Sequence, residues 1–167
     1  SIPKNFIPAI EKGFRESINH GTLAGYPVID IAVNVVDGSY HDVDSSELAF
    51  KIAASLAFKK AMEDGGVALL EPIYVLTVTV PDQYMGDIMG DVSSRRGKIM
   101  GSDAKGKLQI IKALVPLSEI QRYAIDLSSI TGGRGSFTME FDHYEEAPPK
   151  VVDDAVAKAK AEQASEQ

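Results

Sequence analysis

Apolar residues recur at helical spacing over residues 3–20, where Ile7, Ile10, Phe14 and Ile18 share a face and Lys4, Glu11, Arg15 and Glu16 lie between them. With Gly21 as a stop, this pattern predicts an amphipathic helix. The period then changes. In PVIDIAVNVV (27–36), Ile29, Ile31, Val33 and Val35 fall on one face and Asp30 and Asn34 on the other, which predicts a half-buried strand. A second helix is predicted over 45–63, with Leu48, Ile52 and Leu56 along one side and Gly65 and Gly66 at its end. Asp44 and Glu47 have the spacing of a capping box at its start.

After a short strand or connector at 67–72 the pattern begins again. IYVLTVTVP (73–81) is a β-branched strand stopped by proline, and 82–94 reads as a helix. Strands follow at 97–103 and 107–115, joined by DAKG, whose glycine suits a tight hairpin. A helix at 116–126 and the alternating strand SFTMEFDHY (136–144) complete the order βαββαβ, a ferredoxin-like sandwich. The chain is therefore of the α+β class, built as two small α/β sandwiches. Residues 1–70 supply too few strands to satisfy a sheet, so the first unit reads as truncated, lacking a strand-bearing N-terminal piece. A start at serine inside an amphipathic pattern agrees with a fragment. Pro148 and Pro149 set off a tail, AVAKAKAEQASEQ, suited to a helix that frays. The predicted divisions are 1–71, 72–147 and 148–167.

Composition narrows the chemistry. A hydrophobic share of 44% and a charged share of 25% are those of a globular domain. The absence of cysteine removes disulfides, thiolate metal sites and a cysteine nucleophile. No apolar run approaches the ~20 residues that cross a bilayer, and no leader pattern opens the chain, so a cytoplasmic protein without a membrane partner is expected. A net charge of −7 argues against general nucleic-acid coating and against DNA as a partner. Locally the sign reverses: residues 93–115 carry Arg95, Arg96, Lys98, Lys105, Lys107 and Lys112 against Asp103 alone. Such a strip can meet one anionic site, or it can be an ordinary solvated face.

Motif by motif, the chemistry thins out. GSDAKGK (101–107) imitates a phosphate-binding loop, but Leu108 stands where a hydroxyl should bind magnesium and a strand follows where a helix should. TGGRGS (131–136) precedes a strand and lacks the spacing of a dinucleotide site. It reads as a tight turn carrying Arg134. In VDGSYHDVDSS (36–46), Ser39, His41 and Asp44 suggest a hydrolytic triad, yet a triad needs fixed mutual angles that one loop seldom provides. The carboxylates there also miss the spacing of a calcium loop. No metal or cofactor is expected in this chain.

The strings DGSYHDVDSSELAFKIAAS (37–55), YMGDIMGDVSSRRGKIMG (84–101) and TGGRGSFTMEFDHYEE (131–146) resemble domains IV and V of bacterial elongation factor G, in register almost to Pro149. The resemblance implies that the first unit is part of a ribosomal-protein-S5-domain-2-like domain and the second a ferredoxin-like domain V. It implies a ribosomal partner: a domain IV tip entering the decoding region beside tRNA, mRNA and 16S rRNA during translocation, and a domain V near the stalk-base protein and the sarcin–ricin loop of 23S rRNA. On that basis Ser39, Tyr40, His41 and Asp42 form the tip, with His41 matching the modified histidine of the eukaryotic counterpart. Arg95, Arg96, Lys98 and Arg134 become candidate rRNA contacts, with Lys105 and Lys107 behind them. GTP and magnesium belong to a nucleotide-binding domain of the full-length parent, so a non-catalytic, monomeric fragment is expected. Paralogues acting in ribosome recycling or ribosome protection share the architecture. A small hydrolase using His41, and a protein-interaction module whose acidic surface meets a basic partner, are readings from other classes.

Overall fold

The computed structural model describes residues 2–166. Contacts divide the chain into residues 1–69 with 148–167, and residues 70–147. The boundary falls two residues before the predicted one, and the tail groups with the first unit where a separate segment was expected.

In the first unit a 3-10 turn (Lys4–Phe6) leads into helix α1 (Ile7–Ile18), which packs on α2 (Glu47–Gly65). The seam is small: Ile10, Phe50 and Ala54 are buried, with Ile2, Phe6, Ala9 and Phe14 against them. Gly13 makes it possible, since a Cβ there would sit 2.5 Å from the Lys51 carbonyl oxygen and 2.9 Å from the Ala54 Cβ. At the seam's edge Lys51 pairs with Glu16 at 2.7 Å and Ser17 bonds Ser55 at 3.0 Å. The unit's last helix, α6 (Pro149–Ser165), has no buried residue.

Two expectations change here. Residues 27–36 form no ladder with any described residue and are not a strand, and the chain bends at Asp30, whose φ is 56°. Alternation specifies a two-faced segment, while a strand exists only through partner hydrogen bonds. Ile29, Ile31, Val33 and Val35 are accordingly exposed, as are Leu48, Ile52 and Leu56 of α2. The cap of α2 is also not Asp44. Ser46 holds the position, its Oγ accepting from the Ala49 amide at 3.1 Å, so the helix starts two residues later.

The second unit is the predicted βαββαβ sandwich. Strands β1 (Leu70–Pro81), β2 (Lys98–Lys105), β3 (Leu108–Pro116) and β4 (Ser136–Glu146) form an antiparallel sheet in the order β2-β3-β1-β4. The end of the expected connector, from Leu70 on, belongs to β1, which continues unbroken through the strand predicted at 73–81. Its residues Leu76, Val78 and Val80 and those of β3, Ile111, Ala113 and Val115, face Ile88 and Val92 of α3 (Met85–Ser94). Ile120, Tyr123 and Leu127 complete this buried layer. They come from two short helices, α4 (Leu117–Ile120) and α5 (Tyr123–Thr131), where one helix was expected. At the break the Glu119 carbonyl, which in a continuous helix would accept the Tyr123 amide, accepts from Arg95 Nη1 at 2.8 Å.

Tyr123 is fully buried with an unpartnered hydroxyl, while its ring meets Phe137 edge-on at 5.2 Å. Burial, and then the nearby Asp91, push its pKa up to about 12. Tyr123→Phe removes the orphan group and keeps the ring. Its thermal unfolding temperature should stay level or rise, by the equivalent of up to about 1 kcal/mol. Gly13→Ala should instead cost about 1–3 kcal/mol through the helix clash, read by urea denaturation.

Candidate functional site

The loop after residue 36 is short and internally braced. Asp37 Oδ1 accepts the Gly38 amide at 2.7 Å, Gly38 lies against Ile2, and the chain turns at residues 42–44. The Ser45 amide donates to the His41 carbonyl at 3.0 Å, while the His41 amide donates to Ser45 Oγ at 2.9 Å. Ser45 thus closes residues 41–45 from both sides. Tyr40 packs its ring 5.7 Å from Phe6, which is 4.7 Å from Phe50, so the loop rests on the α1–α2 seam. Partial burial and then the Asp42 carboxylate raise the Tyr40 pKa.

Ser39, Tyr40, His41 and Asp42 are all exposed. Among the described residues no side-chain hydrogen bond joins Ser39, His41 and Asp44, so the loop has no triad geometry. A groove of about 480 Å³ between α1 and α2 is lined by Gly13, Ser17, His20, Ile52 and Ser55 and includes no loop residue. Among the described residues no group of three or more His, Asp or Glu is placed to hold a metal ion.

In the second unit the predicted cationic residues separate into two kinds. Arg95 is tied down: Nε bonds Asp91 and Nη2 bonds Asp126, each at 2.9 Å, and the guanidinium lies 5.2 Å from the Tyr123 ring centre. Arg96 makes a two-pronged pair with Glu71 at 2.7 and 2.9 Å, and its Nε reaches Glu119 at 3.1 Å. Hydrogen bonds to these carboxylates hold both guanidinium pKa values above their ordinary range. Three donors of each guanidinium are engaged within the protein.

Arg96 also has a left-handed backbone, φ 58°, at the end of α3, where glycine is usual. The following Gly97 closes the helix by donating to the Val92 carbonyl at 2.9 Å. Its Cβ would stand 2.5 Å from that same oxygen, so glycine is required there and Arg96 takes the strained position before it.

Lys98, Lys105, Lys107 and Lys112 are exposed, and among the described residues none has an ion-pair partner. They gather on the β2–β3 hairpin, whose two-residue turn has Gly106 at φ 65°. Lys112, which sequence reasoning counted but did not choose, sits mid-strand opposite Gly101. Arg134 is intermediate between the two kinds. Its Nε donates to the Thr131 carbonyl at 3.2 Å and its Nη2 bonds the Tyr84 hydroxyl, with the guanidinium 5.0 Å from that ring's centre. Thr131 Oγ1 donates to Leu127 and accepts from Gly135, which fixes the TGGRG turn beneath it.

Sequence reasoning also missed a cluster on β4. The register slips by one residue between Ile73 and Tyr74, leaving an extra residue at Asp142. This bulge brings Asp142 and His143 to one side, where Nδ1 meets Asp142 at 2.5 Å and Nε2 meets Glu145 at 2.8 Å. The bonds to Glu145 and then Asp142 raise the His143 pKa.

Two tests follow from these pairings. Arg96→Ala strands the buried Glu71 carboxylate and should lower unfolding free energy by about 1–3 kcal/mol, whereas Lys98→Ala should stay within about 0.5 kcal/mol. Adding Glu71→Ala to Arg96→Ala should recover part of the loss. For His143, an NMR titration should give a midpoint above about 6.5, moving down in Glu145→Gln. Because the folded value is raised, the cluster's contribution is complete below the unfolded pKa and fades as pH climbs through the folded one.

Among the described residues no helix is long and apolar enough to cross a membrane. The family model for elongation factor G domain IV matches residues 1–66, and that for the elongation factor G C-terminus matches residues 68–155. A crystal structure of a Thermus thermophilus protein is 46% identical, with a TM-score of 0.83 over 96% of this chain. The chain spans 24% of that protein's length. Together the matches cover nearly every residue and meet where the contacts divide the molecule, and the chain belongs to the elongation factor G family as a fragment of its domains IV and V.

Proposed function

We propose that this part of an elongation factor docks a translational GTPase on the ribosome and helps move tRNA and mRNA during translocation. The observation that carries the proposal is the tandem family match, joined to a braced loop that exposes Ser39, Tyr40, His41 and Asp42 at the position the family resemblance makes the tip. A loop with Ser45 bonded from both sides and Tyr40 seated on Phe6 presents Ser39, His41 and Asp42 with little conformational freedom to lose. Preorganisation of that kind lets a small polar surface discriminate at low entropic cost. Beside the codon–anticodon helix it would disfavour backward slippage by occupying space and offering hydrogen bonds.

Docking by domain V would rest on the lysines of the β2–β3 hairpin, with Arg134 at the neighbouring turn. Arg95 and Arg96 take a different role in this reading. They shape the unit, and Lys98, Lys105, Lys107 and Lys112 meet rRNA phosphates. The work is steric and electrostatic, in the cytoplasm, with GTP and magnesium handled by a domain of the full-length protein.

The test uses the full-length protein in single-round translocation and in ribosome recycling. His41→Ala should slow translocation severalfold with GTP hydrolysis retained. Lys98→Glu/Lys112→Glu should weaken ribosome binding and flatten its salt dependence, because two phosphate contacts are lost. A recycling defect without a translocation defect would assign the parent to recycling. No effect in either assay would remove the tip and hairpin from the mechanism.

A further inference from the structure

The two edges of the second unit's sheet are opposite in charge. The β2–β3 side carries Lys98, Lys105, Lys107 and Lys112, while β4 carries Glu140, Asp142, Glu145 and Glu146 with no lysine or arginine. With strands spaced about 4.8 Å, the edges lie about 14 Å apart, more than the ~8 Å screening length at physiological salt. Each therefore meets its surroundings as a separate surface.

The β4 edge is two-faced as well as acidic. Phe137, Met139 and Phe141 stand opposite Val78, Leu76 and Tyr74, on the helix side of the sheet. Beyond the helices Met139 and Phe141 emerge into solvent, 43% and 51% exposed. The bulge then returns Tyr144 to the same side as Phe141, with ring centroids 5.1 Å apart, and Tyr74 meets Phe141 edge-on at 5.8 Å. Glu140, Asp142 and Glu145 occupy the other side. Between an apolar ridge and a carboxylate row runs the outer backbone of β4, regular from Ser136 to Phe141 and paired, among the described residues, only with β1.

We propose that the β4 edge is a docking site for an extended protein segment in which basic and apolar side chains alternate. Such a segment adds as a strand outside Ser136–Phe141, its hydrogen bonds taken from the open backbone. Its apolar side chains continue the Met139–Phe141–Tyr144 ridge, and its Lys or Arg side chains lie beside Glu140 and Asp142, with cation–π contact open to those nearest the rings. Charge complementarity selects this occupant. RNA is repelled by the carboxylate row, and a second copy paired through β4 would set acid against acid.

The experiment uses the 167-residue chain and a fluorescent alternating Lys–Val peptide, with an alternating Glu–Val peptide and a block Lys-then-Val peptide as controls. The Lys–Val peptide should bind best by anisotropy, weaken as salt rises, and slow amide hydrogen exchange within 136–141. Glu140→Lys/Asp142→Lys, both at exposed positions, should weaken it roughly tenfold and favour the Glu–Val peptide instead. Circular dichroism of the variant checks that the fold is kept. Equal binding of the alternating and block peptides, protection elsewhere than β4, or indifference to the charge reversal would overturn the proposal. So would an RNA oligonucleotide that protects 136–141. None of these outcomes bears on the hairpin lysines, whose test is ribosome binding.

Discussion

Two adjacent guanidinium groups tie the ends of the second unit's helices to one another and to the head of its central strand. Arg95 reaches from the end of α3 to Asp91, Asp126 and the Glu119 carbonyl, and Arg96 reaches Glu71 at the start of β1. Through them the end of one helix, the break between two others and the head of the central strand become one charged knot. Only arginine suits both positions, because each bond set needs a planar fork of donors. The knot also occupies the helix break, where Arg95 donates to the Glu119 carbonyl.

This arrangement divides cations that look alike in the sequence. Six positive residues within 93–115 suggest one basic strip, but two are spent on folding and four are left on the hairpin. The information was partly available in the chain: Asp91 stands four residues before Arg95, the spacing of a helical ion pair. Asp126 and Glu71 are 31 and 25 residues away, and no local pattern announces them. The ferredoxin-like order was legible because β-branched and apolar strand runs and an apolar-faced helix follow one another between glycine and proline breaks. The bulge at Asp142 was not, since it depends on how β4 registers against β1.

The first unit gives the complementary lesson. PVIDIAVNVV alternates over most of its length and IYVLTVTVP only over LTVTV, yet only the second is a strand. The second finds β3 and β4 on its two sides, whereas the first finds no partner among the described residues. Alternation reports which faces a segment has, and pairing is a property of its surroundings. The cap of α2 repeats the point on a smaller scale: Asp44 and Glu47 had the right spacing, but Ser46 accepts the amide bond that caps the helix. The loop at 37–45 was legible as a turn, and its brace from Ser45 was not.

The opposed charges on the two edges of the second unit's sheet make it an electric dipole lying across the strands. In the field of an extended polyanion such an object experiences a torque as well as a force, and the torque acts before any contact forms. The hairpin edge turns toward the polyanion and the β4 edge turns away. An overall negative protein can thus be brought in by its minority charge, with its orientation chosen during the approach.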